Sequence, residues 1–205
     1  MKKHKIAILI SGSGSNMESL IKYSLTDEST FEITKVISNN INALGLKKAA
    51  NYNIKNIAID RNNYQNKAQH EQAMLTELKK DNIDLICLAG YMQLLSSDFI
   101  GNYQNKILNI HPSLLPLFKG LDTYNKAIES GMKFTGCTVH IVTEKMDEGK
   151  IIAQAVVPIF KHDTSSDLQQ RILNAEHLLY YRAIEQYLNN IENNNINNED
   201  RLINL

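Results

Sequence analysis

Long apolar runs are missing from this sequence. No stretch of the 205 residues approaches the roughly 20 apolar residues that a membrane-spanning helix needs. The opening Met1-Lys2-Lys3-His4-Lys5, followed by Ile6 to Ile10, imitates a secretory leader, but its apolar run is too short and a glycine-serine loop interrupts it at once. Excess charge is missing too. The 22 Lys plus Arg equal the 22 Asp plus Glu, so the formal net charge is zero, which argues against a general nucleic-acid binder and leaves room only for a local basic patch. Cysteine is scarce: Cys87 and Cys137 both fall in apolar, strand-like runs and read as small buried residues, with no disulfide framework or zinc site between them. Internal repeats and clear linkers are also absent. The expectation is a cytoplasmic protein, partnered by neither membrane nor nucleic acid, with one large domain and ample chain for a core.

What is present is an alternation of strand and helix signals. Lys5 to Ile10 is a continuous apolar run, as in a parallel strand covered on both faces. It leads into Ser11-Gly12-Ser13-Gly14-Ser15-Asn16 and a helix through Ile21, an order that presents backbone N–H groups and a helix dipole to an anion. Met17 stands where a dinucleotide fingerprint needs its third glycine. The next strand, roughly Glu32 to Ile37, ends in Ser38-Asn39-Asn40 with no acid for a ribose hydroxyl, so the loop suits a phosphate better than NAD. A purely structural turn is the competing reading. Helical patterns over Ala43 to Asn51 and Tyr64 to Lys80 flank a third strand at Ile54 to Ile59. A fourth, Asp84 to Ala89, opens into Gly90-Tyr91-Met92-Gln93-Leu94-Leu95, whose apolar side chains suit either a flat ring or the core.

The organising stretch is Ile107 to Pro116. An apolar strand ends there in Asn109-Ile110-His111, fenced by Pro112 and Pro116. Side chains alternate along a strand, so Asn109 and His111 share a face, and Pro112 cannot donate to a ladder, which leaves His111 at the rim. Ligands in α/β folds bind outside the carboxyl ends of strands. Further on, Leu117 to Gly120 reads as a loop and Thr123 to Ser130 as a short helix. Thr135 to Val142 alternates like a half-buried strand containing His140. A polar loop, Thr143 to Gly149, follows, and Lys150 to Val157 returns antiparallel. Asp163 to Ser166 offers N-cap chemistry for a long helix through Leu188 carrying Glu176 and His177. His4, His70 and His162 read as surface. The fold expected is a doubly wound, Rossmann-like α/β domain over 1–188, mostly parallel, with an antiparallel C-terminal extension; 189–205 is an asparagine-rich tail with at most one late strand.

The motifs ISGSGSN (10–16), LAGYMQLL (88–95), NIHPSLLP (109–116), FKG (118–120), TGCTVHIV (135–142), MDEGKIIAQ (146–154) and AEH (175–177) occur in an order and spacing that resemble the phosphoribosylglycinamide formyltransferases over roughly Lys5 to Leu188. The resemblance implies a folate-dependent enzyme of purine synthesis with 10-formyltetrahydrofolate as co-substrate, small-molecule substrates, no metal, and a monomeric or homodimeric state. It implies Asn109, His111 and Asp147 as catalytic residues, with Asp147 favouring the imidazolium of His111. Gly14, Ser15 and Asn16 match the ribonucleotide phosphate site, and Glu176 a contact to glycinamide or ribose. Met92, Gln93, Leu94 and Leu95, together with Asn109, match the folate side, the segment recognising the pterin-type ring through its backbone. Lys67 and Gln93 stand where relatives often carry arginine, and lysine lacks the arginine fork. Asp122 replaces a histidine of some relatives and receives no role. His140 stays open between a support behind His111 or Asp147 and a filler of the sheet. Methionyl-tRNA formyltransferases add a C-terminal nucleic-acid-binding domain and formyltetrahydrofolate hydrolases an N-terminal regulatory one, so neither is the expectation here. A non-enzymatic nucleotide-binding module would leave Asn109, His111 and Asp147 without a purpose.

Overall fold

Continuous runs of β-branched and aliphatic residues make strands when both faces are covered, and the computed structural model bears this out for residues 3–192, which are those the structure describes. The chain divides into two compact units, Met1–Asn109 and Ile110–Leu205.

In the first unit, strands β1 (His4–Ile10), β2 (Phe31–Ser38), β3 (Lys55–Ala58), β4 (Leu85–Leu88) and β5 (Ile107–His111, whose last two residues belong to the second unit) lie in the order β3-β2-β1-β4-β5. Every pair among them is parallel. The connecting helices are α1 (Ser15–Ser24), α2 (Leu44–Asn51), α3 (Lys67–Lys79) and α4 (Ser97–Asn102). Ile6 to Ile10 are fully buried, as a central strand covered on both faces requires. The chain winds outward from β1 to β3, then restarts at β4 on the other side of β1. That reversal opens a crevice at the carboxyl ends of β1 and β4.

Helix α3 and His70 depart from the sequence reading, and helix α4 was not read from it at all. Helix α3 starts at Lys67, not Tyr64, because the Asn66 side chain accepts the Gln69 N–H and caps it there. His70, expected at the surface, is fully buried: its Nε2 donates to the Ile59 carbonyl at 2.7 Å and the Tyr64 ring meets it edge-on. A further buried cation, Lys35 on β2, meets Asp81 at 2.6 Å and Glu77 at 3.2 Å, and Asp81 also takes Lys55 at 2.9 Å. Burial pulls the Lys35 ammonium down, but hydrogen bonds to Asp81 and Glu77 outweigh it and leave its pKa raised.

The second unit carries the end of β5, then α5 (Thr123–Glu129), β6 (Phe134–Ile141), β7 (Ile151–Pro158) and α6 (Ser165–Glu192). The sheet order continues β5-β6-β7, with β6 and β7 antiparallel. The mostly parallel sheet with antiparallel C-terminal strands is the expected doubly wound arrangement. β6 is not half-buried as its alternation suggested: every residue from Thr135 to Ile141 is buried, because α6 packs against it and the loop after His111 bonds to its threonine. The alternation belongs instead to β7. Thr164 and Asp167 cap α6 reciprocally, the hydroxyl accepting the Asp167 N–H and the carboxylate accepting the Thr164 N–H. The helix runs to Glu192, beyond the Leu188 expected; from 193 on, the asparagine-rich tail lies outside the described residues. No helix among the described residues is long and apolar enough to cross a membrane.

Candidate active site

In the first unit the crevice at the switch point is a cavity of about 210 Å³ lined by Ser11 to Asn16, Ala89, Gly90 and Met92. Gly14 is the N-cap of α1 with φ 67°, a left-handed conformation suited to glycine, and no side chain caps the helix. A Cβ there would stand 3.0 Å from the Cα of Gly45, so the turn is also closely packed against α2. The cavity therefore lies at the N-terminal end of α1, a place suited to an anion. Gly14, Ser15 and Asn16, read from sequence as a phosphate loop, all line this cavity.

The β4 loop forms the other wall. Met92 and Leu94 are exposed, while Leu95 packs into the core. Gln93, Leu94 and Leu95 are not among the cavity's lining residues. Lys67, at the start of α3, is tethered to Glu71 one turn on, Nζ to carboxylate 3.8 Å. Asn109 sits half-buried on β5, in register with Leu88 of β4.

In the second unit His111 ends β5, and its ring is pinned at both ends. Nε2 donates to the Phe118 carbonyl at 3.0 Å, and Nδ1 faces the Asp147 carboxylate at 3.6 Å. The carbonyl accepts a hydrogen bond from the ring, while the carboxylate stands just beyond hydrogen-bond reach of Nδ1. The carbonyl is held in place by a bonded loop. Ser113 donates its hydroxyl to the Leu117 carbonyl at 2.6 Å; Thr138 Oγ1 donates to the Ser113 carbonyl at 2.7 Å and accepts the Leu115 N–H. Gln154 of β7 donates to the Leu115 carbonyl and to Thr138. These polar residues of β6 and β7 were not read from sequence as parts of the site; their place inside the matching motifs was the available signal.

Asp147 is fixed from three sides. It accepts the Gly120 N–H at 2.8 Å, and its second oxygen lies 3.7 Å from Nε2 of His140. His140 is buried, and its Nδ1 donates to the Ile141 carbonyl. Burial is the largest influence on its pKa and lowers it; the Ile141 carbonyl and the Asp147 charge act the other way with less weight. His140 therefore stands in the strand behind Asp147, close to its carboxylate and buried in the sheet at once. Phe118, Asp122 and Asp147 all take left-handed backbone conformations without being glycine (φ 52°, 60° and 54°). Local strain of this kind gathers where a site needs an otherwise unfavourable geometry.

Glu176 lies 5 % exposed on α6. Burial, and then the Glu176 charge, push the Tyr124 and Cys137 pKa values well up, so both groups stay neutral beside the carboxylate. Among the described residues no group of three or more His, Cys, Asp or Glu is arranged to hold a metal ion.

Comparison with known proteins places the chain in a family. Residues 4–184 match the formyl transferase family. The phosphoribosylglycinamide formyltransferase of Bacillus subtilis is 39 % identical over 184 residues, covering 90 % of this chain and 94 % of that protein. The human trifunctional purine biosynthetic protein adenosine-3 is 42 % identical over 184 residues, 90 % of this chain, which spans only 18 % of that longer protein's length. The crystal structure of phosphoribosylglycinamide formyltransferase from Brucella melitensis superposes with a TM-score of 0.88 at 48 % identity, covering 91 % of this chain and 96 % of that one. From its motifs, its strand order and its relatives alike, the chain belongs to the formyl transferase family.

Proposed function

We propose that this chain transfers the formyl group of 10-formyltetrahydrofolate to the amine of glycinamide ribonucleotide, giving formylglycinamide ribonucleotide and tetrahydrofolate in de novo purine biosynthesis. The observation that carries the reading is His111 held at a strand end between the Phe118 carbonyl and the Asp147 carboxylate. Formyl transfer needs such a proton carrier. The substrate nitrogen attacks the formyl carbon, the carbonyl oxygen takes the negative charge, and the carbon–nitrogen bond to the folate breaks once that nitrogen is protonated. His111 is the general acid: Nε2 gives its proton to the leaving nitrogen, and the proton the incoming amine sheds on becoming the amide returns to the ring. Asp147 faces the other end of the ring, held there by the Gly120 N–H. Asn109 positions the amine and donates to the oxyanion.

The remaining roles follow the same reading. The α1 turn at Gly14, Ser15 and Asn16 receives the ribonucleotide phosphate, which its place at a helix N-terminus lining the cavity favours. Glu176 contacts the glycinamide or ribose part. The backbone of Met92 to Leu95, with Asn109, takes the pterin-type ring, and Lys67 the outer part of the folate. The catalytic domain spans 1–188 of a cytoplasmic enzyme acting as a monomer or homodimer. The test is folate deformylation followed by absorbance, with and without glycinamide ribonucleotide. Turnover only with the ribonucleotide supports the transferase. Folate consumption without any amine means a hydrolase, and no turnover in either mixture rejects the substrates named.

A further inference from the structure

Glu71 belongs to none of the roles above, yet it is 5 % exposed in α3, where an unpaired carboxylate would be costly. One of its oxygens accepts the Ser96 backbone N–H at 2.9 Å, and the other accepts the Ser96 hydroxyl. The Ser96 oxygen in turn accepts the Phe99 N–H and caps α4. Glu71 thereby fixes the far end of the segment that begins at Gly90. The near end is fixed separately: Ser11 Oγ accepts the Met92 N–H at 2.8 Å, and the Ser11 N–H donates to the Gly90 carbonyl. Between these anchors Met92 and Leu94 stand exposed. The same Glu71 carboxylate lies 3.8 Å from Lys67 Nζ.

We infer that Glu71 is a positioning residue for the folate: one buried carboxylate aligns the Met92–Leu95 backbone through Ser96 and aims Lys67 from the helix above it. This rests on the formyl-transfer reading and deepens its folate side. A segment ordered before the ligand arrives pays no ordering cost on binding, so the effect belongs to folate affinity and not to the chemical step.

The experiment compares the native chain with Glu71→Gln, measuring tetrahydrofolate binding by calorimetry, steady-state constants for both substrates, and amide exchange of Ser96. Losing a charge-assisted pair of hydrogen bonds is expected to raise the tetrahydrofolate Kd and the formylfolate KM by about 10-fold or more. Turnover number and ribonucleotide KM stay near native, and Ser96 exchanges faster without any ligand. Ser96→Ala, which removes only the hydroxyl donor, shifts the same constants in the same direction by less, and the double variant is no worse than Glu71→Gln alone. It carries the test if Glu71→Gln fails to fold. Native folate constants in a folded variant, or both substrates weakened alike, overturn the role of Glu71 and leave the formyl-transfer reading standing. A native chain that neither binds tetrahydrofolate nor transfers a formyl group overturns that reading, and the positioning role with it.

Discussion

At the scale of single residues, the site is governed by what each imidazole faces. His111 has an acceptor at both ring nitrogens, and it is the group the proposed chemistry uses. His111→Ala is expected to lower kcat by about 10²-fold or more; turnover near the native value would remove His111 from the mechanism. His140 has the same two kinds of neighbour, but burial dominates and lowers its pKa. Two outcomes follow from that direction. Because the Asp147 charge acts to raise this pKa, Asp147→Asn should lower it further, which NMR titration of the ring can follow; an unchanged titration would uncouple the pair. Because the folded pKa lies below the unfolded value of about 6.5, the unfolded chain takes up the proton first, and stability falls as pH drops through that value. Denaturant titrations at pH 7.5 and 5.5 should show a smaller pH-dependent loss in His140→Asn than in the native chain. Equal losses would mean that other groups carry the acid sensitivity.

At the scale of elements, the loop between β6 and β7 places Asp147, and Gly149 lets it close. A Cβ at Gly149 would fall 1.7 Å from the Ile141 carbonyl oxygen, a backbone atom that cannot step aside without breaking the bulged end of the β6–β7 ladder. Gly149→Ala is therefore expected to cost about 2–4 kcal/mol and to reduce turnover, read from the urea midpoint and kcat together. A native midpoint would show that the ladder end adapts freely. This is also the scale at which the sequence was most and least legible. The parallel strands stood out because both-face burial demands unbroken apolar runs, and the rim position of His111 followed from Pro112. Helix α4 was missed because six residues are too few to display a period; its only mark was the Ser96 cap. β6 and His70 were misjudged for one physical reason. The Thr138 hydroxyl and Nε2 of His70 are buried on backbone carbonyls elsewhere in the chain, and a polar letter in a sequence does not disclose its partner. Glu71 escaped for the same reason.

At the scale of the whole molecule, every residue given a role lies between Ser11 and Glu176. A chain ending at Glu192 is expected to keep native kcat and KM values; a substantial loss of either would assign the asparagine-rich tail a function. The two scarce thiols carry a last consequence. Neither Cys87 nor Cys137 is in a disulfide, both are fully buried, and one lies in each compact unit. Burial also pushes the Cys137 thiol up, so it holds little thiolate for an electrophile to find. The native protein should thus be nearly silent to alkylating reagents, and each sulfur becomes an internal clock for the opening of its own unit. Modification of the two at one common rate would mean that the units open together; unequal rates would rank them and show which half of the sheet lets go first.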